Sequence, residues 1–218
     1  MTGDIGRRRP PVDLVNGRVE MSHGAGGRAM SDLVDALFRR AFDNPLLARA
    51  DDQALFPVEA GRMVMTTDSF VISPLFFPGG DIGSLAVCGT VNDLAMGGAV
   101  PRYLSAGFIL EEGFALADLA RIVDSMADTA ARANVSIVTG DTKVVERGKG
   151  DGVFINTAGV GVVATGINVS GDRARPGDRL IVSGTLGDHG VAVLSPVSYT
   201  HLRAHETVTL ISYAVFCL

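Results

Sequence analysis

Residues 103–141 read YLSAGFILEEGFALADLARIVDSMADTAARANVSIVTGD. The middle of this stretch, 116–132, has the pattern of an amphipathic helix. Leu116, Leu119, Ile122, Val123, Met126 and Ala130 recur at helical spacing, while Asp118, Arg121, Asp124, Asp128 and Arg132 occupy the opposite side. Strand-like runs flank it at Tyr103–Leu110 and Val135–Thr139. Upstream, Asp81 is placed to cap a helix that passes through Leu85, Val87, Cys88, Val91 and Leu94 and stops at Gly97-Gly98. A proline- and glycine-rich loop (Pro74, Pro78, Gly79, Gly80) precedes it, and strand-like pieces come earlier at Gln53–Val58 and Arg62–Thr67. Further back, Met30, Leu33, Val34, Leu37, Phe38 and Phe42 predict a helix over 28–43 that Asn44-Pro45 ends. Downstream, a strand is expected at Val153–Ala164, then a linker over 166–178, a strand at Arg179–Ser183 and a glycine turn from Gly184 to Gly190. Strands and helices alternate, so the class is α/β, layered, with a sheet covered by helices.

The organisation follows from these elements. Residues 1–20 are expected to be a polar leader, 21–166 the main domain, and 167–195 a linker with the start of a second, truncated domain. Residues 196–218, PVSYTHLRAHETVTLISYAVFCL, change character abruptly and are expected to be a non-native tail. His201 and His205 have the spacing of a zinc pair but lie in that tail, as does Cys217. At 47% hydrophobic residues the chain can build a core. A formal net charge of −5 argues against a nucleic-acid binder. No apolar run approaches the roughly 20 residues of a membrane span, so no membrane partner is expected. Two cysteines, Cys88 and Cys217, make no disulfide framework, and a cytoplasmic setting is expected.

The chemistry is expected from aspartates: Asp52, Asp68, Asp93 and Asp141. Asp68 and Asp141 each follow an apolar strand and so are expected at strand ends, where open α/β sheets gather ligands. Taken singly, each reads as a surface turn or cap residue. Taken together, converging carboxylates need a compensating cation, which Mg2+ with a polyphosphate supplies. The glycine loop after His23, with Gly24, Gly26 and Gly27, could close over phosphates with its N–H groups. His23 reads equally as a phosphate contact or a solvated loop residue. Lys143 reads either as a phosphate-neutralising cation or as a strand-edge lysine. No Walker A motif is present, and Gly159–Ala164 is a strand rather than a dinucleotide fingerprint. Cys88 is expected to be a packed small hydrophobe.

The motifs MSHGAGGRAM, TTDSFVISPLFFPGGDIGSLAVCGTVNDLAMGG, IVTGDTKVVERG, FINTAGVG and LIVSGTLGDHG resemble, in order and spacing, the HypE family of hydrogenase maturation proteins. That family belongs to the PurM-like ATP-binding superfamily, with aminoimidazole ribonucleotide synthetase, selenophosphate synthetase and thiamine-monophosphate kinase. The resemblance implies two α/β domains. It also implies a mixed sheet with helices on one face, a homodimer formed through the sheets, and ATP in a groove near that interface. It implies ATP-dependent dehydration of a thiocarbamate on the protein's own C-terminal cysteine to a thiocyanate, the source of cyanide ligands for nickel–iron hydrogenase. The carbamoyl group would come from HypF, and the cyanide would pass to a HypC/HypD complex. Carried over by position, Asp68, Asp93 and Asp141, with Asp52, would be Mg2+ and phosphate ligands. Asn92, Thr139, Gly140 and Thr142 would line the nucleotide groove. Gly24, Gly26 and Gly27 would cover the phosphates, and Lys143 with Asp93 would serve catalysis. The family ends in a cysteine as its last residue, and Cys217 is not assigned that role. This chain is therefore expected to be inactive by itself as a dehydratase. The alternatives are another ATP-dependent synthetase or kinase of the same superfamily, or a non-catalytic dimerisation or partner-binding module.

Overall fold

The computed structural model describes residues 12–25, 27–49, 54 and 61–181. Asp52, Gly26, nearly all of the strand expected at Gln53–Val58, the turn at Gly184–Gly190 and the tail with His201, His205 and Cys217 lie outside the described residues.

The elements run as follows: α1 (Arg28–Leu33, widening into a π-helical stretch, Val34–Arg39), β1 (Met63–Phe70), the short hairpin β2 (Phe76–Phe77) and β3 (Gly80–Asp81), α2 (Ile82–Met96), β4 (Ala99–Glu111), α3 (Leu116–Arg132), β5 (Ser136–Val145) and β6 (Val153–Val163). The helix expected at 116–132 thus has the observed bounds, and all six of its expected apolar positions are buried. Four strands form one mixed sheet in the order β1-β6-β4-β5. The β1–β6 and β6–β4 pairs are antiparallel, and β4–β5 is parallel.

Burial alternates along the strands with period two, as a half-covered sheet requires. Leu104, Ala106, Phe108 and Leu110 of β4 and Val153, Ile155 and Thr157 of β6 face the helices and are buried. Leu119, Ile122, Val123 and Met126 of α3 close the other side of this core, with Leu33, Leu37 and Phe38 beside them. The middle helix, α2, lies between sheet and helix, so it has no wide polar side: Ile82, Ala86, Val87, Cys88, Val91 and Leu94 are all buried. Gly159 lets α2 close on β6, because a Cβ there would stand 2.8 Å from both Thr90 and Leu104. The buried Thr90 hydroxyl answers that of Thr157 at 2.5 Å, and Thr157 in turn donates to the Ala86 carbonyl. Asp81 caps α2 as expected, its Oδ1 accepting from the N–H groups of Gly83 (2.7 Å) and Ser84 (3.0 Å).

Within the expected polar leader, Val19 is buried, donates its N–H to the Phe114 carbonyl and accepts from the Gly113 N–H. Two expectations change. Neither Asp68 nor Asp141 stands at a strand end. The first strand continues past Asp68 because Ser69 and Phe70 still pair with Asn156 and Ile155, and β5 continues to Val145 along β4. Arg179–Ile181, the described part of the strand expected at 179–183, are not in a strand, and Leu180 is 95% exposed. No helix among the described residues is long and apolar enough to cross a membrane.

Candidate functional site

The sheet register fixes where the predicted residues stand. Across the four strands Asp68, Thr157, Ala106 and Gly140 are successive partners, and the next row is Ser69, Asn156, Gly107 and Asp141. Directly opposed residues share a face. Asp68 therefore shares the helix side with the buried Thr157, while Asp141 shares the open side with the exposed Asn156. The two aspartates also occupy opposite edges of the sheet, three strand spacings or about 14 Å apart.

At the first edge two carboxylates are neighbours. The Thr66 hydroxyl donates to Asp93 Oδ2 at 3.0 Å, and Asp68 is two residues along the same face of β1. Asp68 Oδ1 accepts from the Ser69 N–H at 2.8 Å. Gly89, one turn before Asp93 on α2, faces Asp68: a Cβ there would lie 3.6 Å from Asp68 Oδ2. Asn156 ties this strand end to β6, donating to the Asp68 carbonyl (2.9 Å) and the Ser69 hydroxyl (3.0 Å). Both carboxylates are exposed and supply hard oxygen ligands, the donor type that Mg2+ takes. Asn92, the neighbour of Asp93, is buried.

The second edge carries the other half of the predicted set. Asp141 Oδ1 accepts from the Thr142 N–H at 2.9 Å and from Lys143 Nζ at 3.3 Å, and both charged side chains are exposed. Thr142 itself is only 4% exposed and pairs across from Phe108, so its side chain turns into the core. Thr139 is half-buried. Gly140 has a steric reason to be glycine: a Cβ would approach the Ala106 carbonyl to 2.1 Å. The described part of the glycine loop leans on this same strand, since a Cβ on Gly24 would meet the Val144 nitrogen at 2.4 Å. Gly27 begins α1 with φ +85°. His23 is buried rather than solvated, its Nδ1 accepting from the Glu20 N–H at 3.0 Å.

One chain thus brings Asp68 to Asp93 and Asp141 to Lys143, but does not unite the two pairs. Among the described residues no three His, Cys, Asp or Glu side chains gather closely enough to hold a metal. A concavity of about 1310 Å3 along the outer side of α3 is lined by residues such as Arg121, Asp128 and Arg132 and by none of the predicted set. Cys88 is packed as expected, and burial pushes its thiol up to about 11. Two residues that the sequence reading does not single out stand beside the candidate carboxylates: Thr66 and Asn156. A period-two reading from Asp68 reaches Thr66, whereas Asn156 is placed by long-range register.

Comparison with known proteins adds five matches. The family model described as AIR synthase related protein, N-terminal domain, matches residues 50–163. The chain is 69% identical over 184 residues to a hydrogenase expression/formation protein, HupE, of Azotobacter chroococcum, and 68% identical to the carbamoyl dehydratase HypE of Azotobacter vinelandii. Each match covers 84% of this chain and 54% of the relative, so the chain spans about half the length of the curated relatives it matches. Among solved structures, a HypE in complex with ATP superposes with a TM-score of 0.80 at 51% identity, over 88% of this chain and 56% of that one. The structure of a HypE–HypF complex superposes at 0.62 with 50% identity, over 84% of this chain and 56% of the other.

Proposed function

The chain belongs to the AIR synthase related family, and from that premise we propose that it is the nucleotide-binding half of an ATP-dependent carbamoyl dehydratase of the HypE type. The observation that carries the reading is the separation of two groups of charged residues, Asp68 with Asp93 and Asp141 with Lys143, at opposite edges of a sheet whose open face exposes several large apolar side chains. Met63, Met65, Val100 and Ile109 are exposed there, and Met65 is 74% exposed. Two such faces placed together about a twofold axis would cover these side chains. They would also carry the β1 edge of one copy, with Asp68 and Asp93, towards the β5 edge of the other, with Asp141 and Lys143. The homodimer is therefore part of the proposal, and the site is completed by the second copy.

Asp68 and Asp93, with Asp141 of the second copy, would hold Mg2+, and Asp52 is carried as a further ligand on resemblance alone. Bound there, Mg2+ would neutralise the phosphate tail of ATP. Lys143, held beside Asp141, can orient an oxygen that accepts a phosphoryl group. Thr139 is on β5 and Gly24 packs against it at Val144, and these two, with Gly26 and Gly27 on resemblance, are assigned to the nucleotide. Dehydrating a carboxamide to a nitrile removes one oxygen and two N–H protons. Transfer of a phosphoryl group to that oxygen turns it into phosphate, a competent leaving group. In the whole protein the carboxamide would be a thiocarbamate on a C-terminal cysteine, loaded by HypF, with the cyanide passed to a HypC/HypD complex in the cytoplasm. A HypE solved with ATP and a HypE solved with HypF support the nucleotide and that partner.

The test is calorimetric titration of Mg2+-ATP into the chain, together with sedimentation. Wild type is expected to bind and self-associate, and Asp93→Asn to self-associate without binding. A wild type that gives no binding heat overturns the nucleotide reading and leaves the non-catalytic module. The dehydratase step is tested on the full-length parent by mass spectrometry: carbamoylation followed by ATP should leave a thiocyanate on its terminal cysteine.

A further inference from the structure

The loop joining β5 to β6, Glu146–Gly152, must cross the end of β4, because β4 lies between the two strands it connects. It does so wrapped around one side chain. Glu111, the last residue of β4, accepts from the Gly148 N–H at 2.5 Å and from the Gly152 N–H at 3.0 Å, one amide on each carboxylate oxygen. Its own N–H donates to the Gly152 carbonyl at 2.8 Å, and the next N–H, of Glu112, donates to the Val145 carbonyl at 2.9 Å. Gly148 and Gly152 both have positive φ, which turns their amides inward. The Arg147 guanidinium lies against Gly113, in the same turn. A fixed carboxylate thus occupies the cradle of amides that a glycine-rich loop would otherwise offer to solvent.

Two candidate residues depend on the strand this clasp terminates. The Lys143 side chain leaves β5 two residues before Val145, and Gly24 rests against the backbone of Val144. Among the described residues, β5 has a strand partner along one edge, β4. The turn after Glu111 also holds the strand-like entry to the glycine loop, through the two hydrogen bonds between Val19 and Gly113–Phe114.

We propose that Glu111 is a positioning residue: by clasping the crossover loop it fixes the end of β5, and through it the placement of Lys143 and the seat of Gly24. The clasp rests on the structure alone. Its consequence for the nucleotide rests on the reading given under Proposed function.

The experiment has two arms, each run on the full 218-residue chain as wild type and as Glu111→Gln, Glu111→Asp and Glu111→Ala. Glutamine keeps the size of the side chain but offers only one acceptor oxygen. A space-filling role therefore predicts wild-type behaviour for it, and a carboxylate clasp predicts loss. In the first arm, amide hydrogen exchange is expected to rise about tenfold or more at Gly148 and Gly152, and also at Thr142–Val145 and Gly24, in the Gln and Ala variants, with partial rescue by Asp. Amides of α3 should be unchanged. Unchanged exchange at Thr142–Val145 and Gly24 overturns the proposal.

In the second arm, acylation is followed at the two lysines of the chain, Lys143 and Lys149. Mg2+-ATP is expected to protect Lys143 in wild type, and Glu111→Gln to need about tenfold more nucleotide for the same protection. Equal protection in the two proteins overturns the positioning role. If wild type shows no protection, the nucleotide reading fails, while the exchange arm still decides the clasp.

Discussion

The two faces of the sheet were made from the same alternating strands, yet they obey different rules. The helix side is filled: Leu104, Phe108 and Leu110 of β4 meet Leu119, Ile122 and Met126 of α3 with no described buried side-chain polar atom left unpaired. The open side mixes exposed Met63, Met65, Val100 and Ile109 with Asn156, Asp141 and Lys143. A substitution on the filled side acts on folding, because the cavity it leaves has nothing to fill it. A substitution on the open side acts on whatever the face meets. Folding and self-association are therefore separable by face, with Asp68 and Asp93 standing apart at the β1 edge, and that separation can be tested.

The largest effect on folding is expected at Leu119. Leu119→Ala should cost about 2–5 kcal/mol in a denaturant titration. A loss under 1 kcal/mol would mean that the helix layer does not close the core as described. Next comes Thr157→Val, which leaves the Thr90 hydroxyl buried without its 2.5 Å partner. A cost of about 1–3 kcal/mol is expected. On the open side, Met65→Lys should change single-chain stability by no more than about 0.5 kcal/mol. Its effect should appear instead as weaker self-association in sedimentation, since a charge would be carried into an apolar contact. If Met65→Lys unfolds the chain, or leaves an observed dimer intact, the division between faces is wrong.

The same contrast explains what could be read in the sequence. The third helix was legible to the residue because one helix face carries apolar side chains at helical spacing from Leu116 to Ala130 and the other carries most of the charged ones. The capped start of α2 was legible because Asp81 and its turn are local signals. The placement of Asp68 and Asp141 was not. Both follow apolar runs, and nothing local says that β1 and β5 extend beyond them, since that depends on partners supplied by β6 and β4. Nor can a one-dimensional pattern give sheet order, which puts the two aspartates on opposite edges and faces. The burial of Thr142 and His23 has the same origin. Thr142 points inward because of its register with Phe108, and His23 because the segment before it, anchored by Val19, is part of the core. Gly140 shows the limit from the other side. The resemblance implies that it lines a nucleotide groove, and the structure gives it a separate need, close approach to the Ala106 carbonyl.

The smallest effect concerns neither face but the end of the sheet, and its sign follows from one carboxylate. The Gly148 N–H first, then the Gly152 N–H, hold the Glu111 carboxyl below the ordinary glutamate value of 4.5, against an opposing effect of burial and with a weaker attraction from Arg147. A group whose value is lowered by folding favours the folded state when it is charged in both states. That contribution is fully present above the unfolded value and is lost as the pH falls through the folded one. The stability difference between wild type and Glu111→Gln should therefore be constant from neutral pH down to about the unfolded value, and shrink below it. Asp13, lowered by the Asn16 and then the Val15 N–H, acts in the same direction in both proteins and cancels from the difference. Denaturant midpoints of the two proteins, compared across that window, measure it. A difference that stays constant into strong acid would show that the side chain is held by shape rather than by charge, and β5 would then need another explanation for where it ends.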